Sequence, residues 1–475
     1  MSHPIFAIVG HPNKGKSSVV ATLAEDDSVA IAPDPGTTRQ ARGFAMRCDG
    51  RVLYELVDTP GFQRPRAALA WLQANERGAS ERAAVVAAFV EEHRGGTRFH
   101  DECELLRPVL AGAGILYVVD GALPYGSEYE AEMEILRWTG QPRMALINPI
   151  GHHDHVDEWR RALNQYFSIV RVFDAVHADF GKRIELLRAF RELGDGIPGW
   201  SAALNEAIGV LEHDHATRRQ RSAEAIAALL VDALSMTETA PVTDGSNEEA
   251  LAATLLARLR ARITRREAEA RRAVQSLYRH ESLDLVPAEF MLIEEDIFSA
   301  RSFALFGLSQ RQLLMAGAAT GAAAGSVLDV AVGGTSLLFG AGVGALVGGV
   351  GAALGSQRLA TVRVLGSPLG GDTLQVGPVS SPNLPWVLLG RALLHHQMVA
   401  ERNHARREAA TLDLESDGHL AGHVDPGLRR RLAQAFKRVR AQEGLDADAR
   451  NALEADIDSA LAAVATRAHP PSDNG

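Results

Sequence analysis

The sequence predicts an α/β domain built on a mostly parallel sheet, followed by a mainly α-helical region that contains an apolar helical hairpin. Three observations predict it. Up to about residue 195, apolar β-type runs alternate with helical stretches, the pattern of a parallel sheet covered by helices. Residues Gly10-His11-Pro12-Asn13-Lys14-Gly15-Lys16-Ser17 fit G-x-x-x-x-G-K-[ST]; they lie between a strand-like run, Ile5–Val9, and a helix-compatible one, Ser18–Leu23. Residues 313–354 carry a single charge, with glycines recurring at helical spacing.

At 475 residues the chain exceeds one ordinary core, so several domains are expected. The composition shifts place them at 1–195 (phosphate-loop domain), 196–310 (helical), 311–356 (Gly/Ala-rich hairpin) and 357–475 (small α+β, then helical). A net charge of −10 gives a nucleic-acid partner no global electrostatic support, and none is expected. Cys48 and Cys103 permit at most one disulfide and suit a reducing cytosol. The N-terminus enters a strand directly, which argues against a cleaved signal peptide.

Strands are expected at 4–10, 43–48, 51–58, 114–120, 143–149 and 169–175, with Cys48-Asp49-Gly50 as a tight turn between the second and third. In the phosphate loop, glycines let successive N–H groups point inward at an anion. Lys16 supplies charge for β- and γ-phosphates, Ser17 a hydroxyl for Mg²⁺, and the following helix N-terminus favours negative charge. Asp58-Thr59-Pro60-Gly61 closes the third strand. An Asp there can hold Mg²⁺ through water, and the Gly61 N–H can meet a γ-phosphate. Between them, Pro35-Gly36-Thr37-Thr38-Arg39 offers a threonine to complete the metal's shell; a plain surface loop is the competing reading.

Together, residues 10–18, 36–39 and 58–61 resemble the small GTPases of the Era, EngA and TrmE type, which carry G-x-P-N-x-G-K-S-S, G-T-T-R and D-T-P-G. The resemblance covers roughly residues 4–180. It implies a P-loop GTPase fold that binds GTP or GDP with Mg²⁺. By the family pattern Asn13, Lys14, Gly15, Lys16, Ser17, Ser18, Asp58, Gly61 and Asn148 bind the nucleotide. Ser17, Thr38 and Asp58 serve the metal, and Asn13, Lys16 and Thr38 act in hydrolysis. Asn13 matches the asparagine that some members use to hold K⁺ near the transferred phosphoryl, where a cation does the work of an arginine finger. Phe62, not a glutamine, follows Gly61, so slow intrinsic hydrolysis is expected.

One departure bears on the base. The family's N-K-x-D reads here Asn148-Pro149-Ile150-Gly151, and Asp174-Ala175-Val176-His177 stands where S-A-K would be. Without the aspartate the guanine N1–H and N2–H lose their acceptor, and an unmet buried donor costs about 1–3 kcal/mol. Guanine identity therefore comes from the resemblance alone, and another base stays open. His152-His153-Asp154-His155 reads as a solvated cap before a helix in preference to a metal site.

Residues 79–110 form an insertion between the third and fourth strands, with helical runs at Val85–Val90 and Leu105–Leu110; a conformational lever and a surface elaboration both fit. Residues 247–283 mix Ala and Leu with Arg258, Arg260, Arg262, Arg265, Arg266, Arg271 and Arg272, a solvated face or, more sharply, a basic helix near a membrane. Then Gly317, Gly321 and Gly325, and Gly340, Gly344 and Gly348, place smooth faces on two helices joined across Asp329–Ser336. The arm Leu313–Leu328 spans about 24 Å as a helix, against a hydrocarbon core of about 30 Å. Insertion into the membrane, full or shallow, is expected, with burial inside protein as the alternative. Farther on, strands are expected at Leu359–Leu365 and Thr373–Val376, a helix from Pro385 to about Arg407, and a helix pair over 426–466. His395, His396 and His404 read as a solvated helix face.

These readings combine into a cytoplasmic, membrane-associated GTP switch with slow hydrolysis. It would be held at the inner membrane through residues 313–354 and paired into a homodimer through the GTPase domain or the hairpin. The alternatives are a nucleotide sensor without turnover, a nucleotide-controlled membrane remodeller and a ribosome-assembly GTPase.

Overall fold

The first sheet grows outward from the apolar run that precedes the phosphate loop. The structure, a computed structural model of the chain, describes residues 3–25, 40–151, 153–194, 197–242, 247–278, 296–308, 312–313, 357–359, 363–364, 367–368, 373–400, 424–441 and 445–468. Residues 1–215 belong to one compact unit, and residues 216–400 with 408–475 to a second.

In the first unit, β1 (Ile5–Val9), β2 (Arg42–Cys48), β3 (Arg51–Asp58), β4 (Gly114–Asp120), β5 (Arg143–Asn148) and β6 (Ile169–Val172) form one sheet in the order β2-β3-β1-β4-β5-β6. Every neighbouring pair is parallel except the β2–β3 hairpin. Asp49 and Gly50 turn that hairpin with φ of 47° and 77°, and a turn positive at both central residues matches the twist of the strands it joins. β4 is buried along its whole length and β1 along all but its first residue, because helices cover both faces of the sheet.

Alternate residues feed two cores. Phe6, Ile8, Leu116, Val118, Met144 and Leu146 pack on one face with α1 (Lys16–Ala24), α7 (Phe180–Leu193) and the start of α8 (Trp200–Ser235). Ala7, Val9, Ile115, Tyr117, Val119, Ala145 and Ile147 pack on the other with α2 (Pro65–Ala74), α3 (Arg82–His93), α4 (His100–Leu110), α5 (Glu130–Trp138) and α6 (Val156–Leu163). The strand order brings the C-terminal ends of β3, β1, β4 and β5 to one edge, the side of an open α/β sheet where ligands bind.

The second unit is mainly helical. It contains the rest of α8, then α9 (Glu248–Leu277), α10 (Ala300–Phe306), α11 (Leu384–Ala400), α12 (Pro426–Arg440) and α13 (Ala447–Ala468). β7 (Glu238–Pro241), β8 (Gln357–Leu359) and β11 (Thr373–Val376) pair antiparallel in the order β7-β11-β8, and β9 (Arg363–Val364) pairs with β10 (Ser367–Pro368). α9 buries Leu255, Leu259, Ile263, Glu267, Ala270 and Val274 at helical spacing and turns most of its arginines outward, as a solvated face requires. Arg262 meets Glu238, and Arg266 Nε meets Asp232 Oδ2 at 2.7 Å.

One expectation fails here. His395 and His396 are buried, not solvated, because α11 is apolar nearly all round and every residue from Leu384 to His396 is buried. Burial pushes His395 down to about 3, with Arg271 adding to the effect, so its ring stays neutral. The His396 Nε2 lies 2.9 Å from the Tyr278 hydroxyl. In the same interior Arg391 grips Glu267 with both ends of its fork, Nε to Oε1 at 2.6 Å and Nη2 to Oε2 at 3.2 Å. His404 lies outside the described residues, as do both hairpin arms apart from Leu313. Among the described residues no helix is long and apolar enough to cross a membrane.

Glu267→Ala removes the carboxylate facing a guanidinium that is 1% exposed. It is expected to cost the second unit about 3–5 kcal/mol, read as a lower midpoint in urea unfolding, while the apolar pair Glu267→Leu with Arg391→Met costs far less.

Candidate functional site

The loop after β1 turns back toward the sheet, and two of its glycines are forced by neighbours. Gly10 has φ 142°, and a Cβ there would overlap the Val118 carbonyl; Gly15 has φ 82°, and a Cβ there would overlap the Asn148 amide. Asn13 also takes a left-handed conformation, φ 58°, and is exposed at the loop's tip. Gly15 precedes α1, whose N-terminus receives no side-chain cap from it, so the first amides of the helix are left to meet an anion.

Lys16 opens α1. Its ammonium is buried beneath the loop and donates to the carbonyls of Gly10 (3.2 Å) and His11 (2.9 Å). Burial pulls its pKa down to about 8, against the pull of Asp58 and Glu132 toward the charged form. Ser17 donates from Oγ to Asp58 Oδ2 at 2.9 Å. Asp58, buried at the end of β3, pairs in register with Ile8 of β1. Thr59 Oγ1 donates to the Ile8 carbonyl at 2.6 Å, and Gly61 sits so close to Pro12 that a Cβ would strike its ring. The two phosphate motifs, about forty residues apart in sequence, are thus laced together by the β1–β3 pairing.

Asn148 ties in a third segment. Its Nδ2 donates to the Lys14 carbonyl at 3.4 Å, and its Oδ1 accepts from the Ala175 N–H at 3.0 Å, so the side chain bridges the phosphate loop, β5 and the loop after β6. Ser18 follows on α1, part-buried. Thr38 lies outside the described residues.

The structure places Gly151 at φ 87°, with no described atom beyond its chain neighbours within 4 Å of where a Cβ would be. Asp174 is spent on its own turn: Oδ1 accepts from Val176 N (3.0 Å) and His177 N (3.1 Å), and Oδ2 faces His177 Nδ1 at 2.9 Å. Ile150, beside Gly15, is 48% exposed. Near the start of α6, His155 Nδ1 faces Glu158 Oε2 at 3.1 Å, and among the described residues no group of three His, Cys, Asp or Glu side chains is arranged to hold a metal.

A further buried carboxylate, not read from the sequence, supports the loop from below. Glu132 Oε1 lies 2.8 Å from His11 Nδ1, and Oε2 accepts from the Tyr117 hydroxyl at 2.9 Å. Burial raises the Glu132 pKa, and the His11 contact opposes the rise. The signal was present: Glu132 falls on the stripe Tyr129, Met133 and Leu136, where an apolar residue is the default.

The donor set fits a nucleoside triphosphate with Mg²⁺. Ser17 and Asp58 present hard oxygen ligands side by side, the chemistry Mg²⁺ prefers, and Gly10, Gly15 and Gly61 let the loop backbone pack against Val118, Asn148 and Pro12 where a Cβ would clash. When bound, the metal would neutralise charge on the phosphates, with Ser17 and Asp58 holding it; Lys16 carries the protein's own positive charge to the same place.

A family model described as Domain of unknown function (DUF3482) matches residues 160–463. The chain belongs to the DUF3482 family. In this DUF3482 protein a second model, described as 50S ribosome-binding GTPase, matches residues 5–148, so a P-loop GTPase-type domain precedes the DUF3482 region. Curated relatives include the GTPase Der of Agathobacter rectalis, 46% identical over 61 residues, 13% of this chain and 14% of that one. The GTPase Der of Nitrosospira multiformis is 45% identical over 62 residues, 13% of each chain. The chain thus spans only about one-seventh of the length of the relatives it matches. A solved structure of Aquifex aeolicus Era bound to GDP·AlF4⁻ aligns with 51% of this chain and 73% of its own, at 17% identity and a TM-score of 0.28.

Phosphate binding favours the charged form of Lys16, so the bound state holds more protons than the free one once pH passes about 8. Triphosphate affinity should be flat from pH 7 to 8 and then fall, by up to about tenfold per pH unit, in calorimetric titrations. A flat profile to pH 9.5 would contradict the burial of this ammonium.

Proposed function

We propose that this DUF3482 protein is a GTP-binding switch that hydrolyses GTP slowly. The reading is carried by the convergence of Lys16, Ser17 and Asp58, from the phosphate loop and the end of β3, at the C-terminal edge of the sheet. In it, Lys16 binds the β- and γ-phosphates, Ser17 and Asp58 hold Mg²⁺, and Gly61 responds to the γ-phosphate. Asn148 keeps the loop in shape beside the base. Thr38 completes the metal's shell, and Asn13, exposed at the loop tip, admits K⁺ near the transferred phosphoryl. Phe62 is wholly buried, so it cannot orient water, which supports slow hydrolysis. Dimerisation through the GTPase domain would be one way to raise it. Because Gly151 offers no carboxylate, selection of guanine rests on weaker contacts than the N-K-x-D pattern would supply.

The membrane is proposed as the place of action on the strength of the uncharged, glycine-spaced arms of residues 313–354. A second reading, action on the ribosome, is favoured by the description of the family that matches residues 5–148 and opposed by the net charge of −10.

Lys16→Ala should weaken GTP binding by about two orders of magnitude or more in a fluorescent-nucleotide titration, and retained affinity would sink the assignment. Competition among GTP, ATP and XTP on the same protein tests the base, with a narrower preference for GTP expected than an aspartate at position 151 would give. Deleting 313–354 should move the protein from the membrane to the soluble fraction; a wild-type chain already wholly soluble would remove the membrane from the reading.

A further inference from the structure

The insertion between β3 and β4 is the part of the first unit that the nucleotide motifs leave unexplained. It folds as α3 and α4, and α4 sends two carboxylates back toward the site. Glu102 lies on the stripe of Phe99, Cys103 and Leu106, a position where apolar residues are the rule, and is 1% exposed. Its Oε1 accepts two backbone bonds, from Gln63 N at 2.9 Å and Arg64 N at 2.5 Å. Arg64 is the N-cap of α2 and provides no side-chain cap of its own. The cap comes instead from another helix, and the α2 dipole favours the buried negative charge.

Two residues along α4, Glu104 Oε2 accepts from the Ala41 N–H at 3.2 Å while Arg107 Nη2 donates to the same oxygen at 2.7 Å. These contacts fall at telling places. Gln63 and Arg64 directly follow Asp58-Thr59-Pro60-Gly61-Phe62, and Ala41 comes two residues after Gly36-Thr37-Thr38-Arg39. Phe62 itself is sealed into the core that α3 and α4 share, with Val86, Phe89 and Leu105.

We propose that α4 is a clasp that sets the segment after β3, at Gln63 and Arg64, together with Ala41, which leads into β2. Glu102 is the positioning residue for Asp58–Arg64, and Glu104 for Ala41. A movement of Gly61 toward a γ-phosphate must pull against the Glu102 bonds, and a movement of Ala41 must pull against Glu104. Because both carboxylates stand on one short helix, the two segments move together or strain it. The functional consequence rests on the nucleotide reading above; the clasp itself does not.

The test is amide hydrogen exchange on the full-length protein, first without nucleotide and then with GTP, alongside steady-state hydrolysis. Glu102→Ala is expected to speed exchange at Gln63 and Arg64 on the order of tenfold. It should lower kcat on the order of tenfold while KM stays within about twofold. Glu102→Gln keeps an acceptor oxygen and should restore both. Glu104→Ala, at a site partly open to solvent, should speed exchange at Ala41 and reduce the protection that GTP confers on Gln63 and Arg64. Unchanged exchange in Glu102→Ala, a Gln variant as defective as the Ala variant, or full GTP protection of Gln63 in Glu104→Ala would each overturn the clasp. Should Glu102→Ala fail to fold, the Gln and Glu104 variants decide. If the wild type binds no nucleotide, the function reading fails, and the nucleotide-free exchange still decides whether α4 holds both segments.

Discussion

The Lys16 ammonium, buried at the C-terminal edge of the sheet, is the constraint around which the first unit is arranged. A buried cation needs acceptors, and the loop supplies them by curling the Gly10 and His11 carbonyls over it. That curl needs a backbone that only glycine adopts freely at Gly10 and Gly15, against neighbours that leave no room for a Cβ. It also needs β3 beside β1, so that Asp58 stands within reach of Ser17 and lends its charge to the lysine. Burial lowers the same ammonium's pKa to about 8, so an anion brought beside it would favour its charged form.

Buried glutamates recur as the means by which this protein joins elements. Glu132 on α5 holds His11 and Tyr117, Glu102 on α4 holds the start of α2, and Glu267 on α9 holds Arg391 on α11. Each sits on an otherwise apolar helix stripe. Each offsets its desolvation with partners from a different segment, and so binds segments in a specific register. The first two converge on the phosphate site from beneath and from the side, which makes the helices beyond the sheet part of the site's support.

At Asn148-Pro149-Ile150-Gly151 the chain departs from the N-K-x-D pattern of the GTPases it resembles. Asn148 keeps its structural task of joining the phosphate loop to the loop after β6, while the residue three positions on has become a glycine in a left-handed turn with open space around it.

By itself the sequence determined the sheet and the phosphate-loop motif that follows its first strand. The strand positions follow from apolar runs, near-continuous in β1 and β4, which are covered on both faces, and alternating in the antiparallel β2, and the glycine, lysine and aspartate motifs announce themselves because their chemistry admits few substitutes. The Asp49-Gly50 turn was equally plain, since few residues accept positive φ. Only the tertiary structure decided what each buried polar side chain does. His395 and His396 look like a wet helix face until α11 is seen to be covered on every side, and Glu102 and Glu132, on apolar stripes, and Glu104 show what they hold only once their carboxylates are found opposite backbone amides and side chains tens of residues away. Local periodicity records which face of a helix is apolar; whether a charge on that face is tolerated depends on partners brought in by other elements, and no local pattern encodes them.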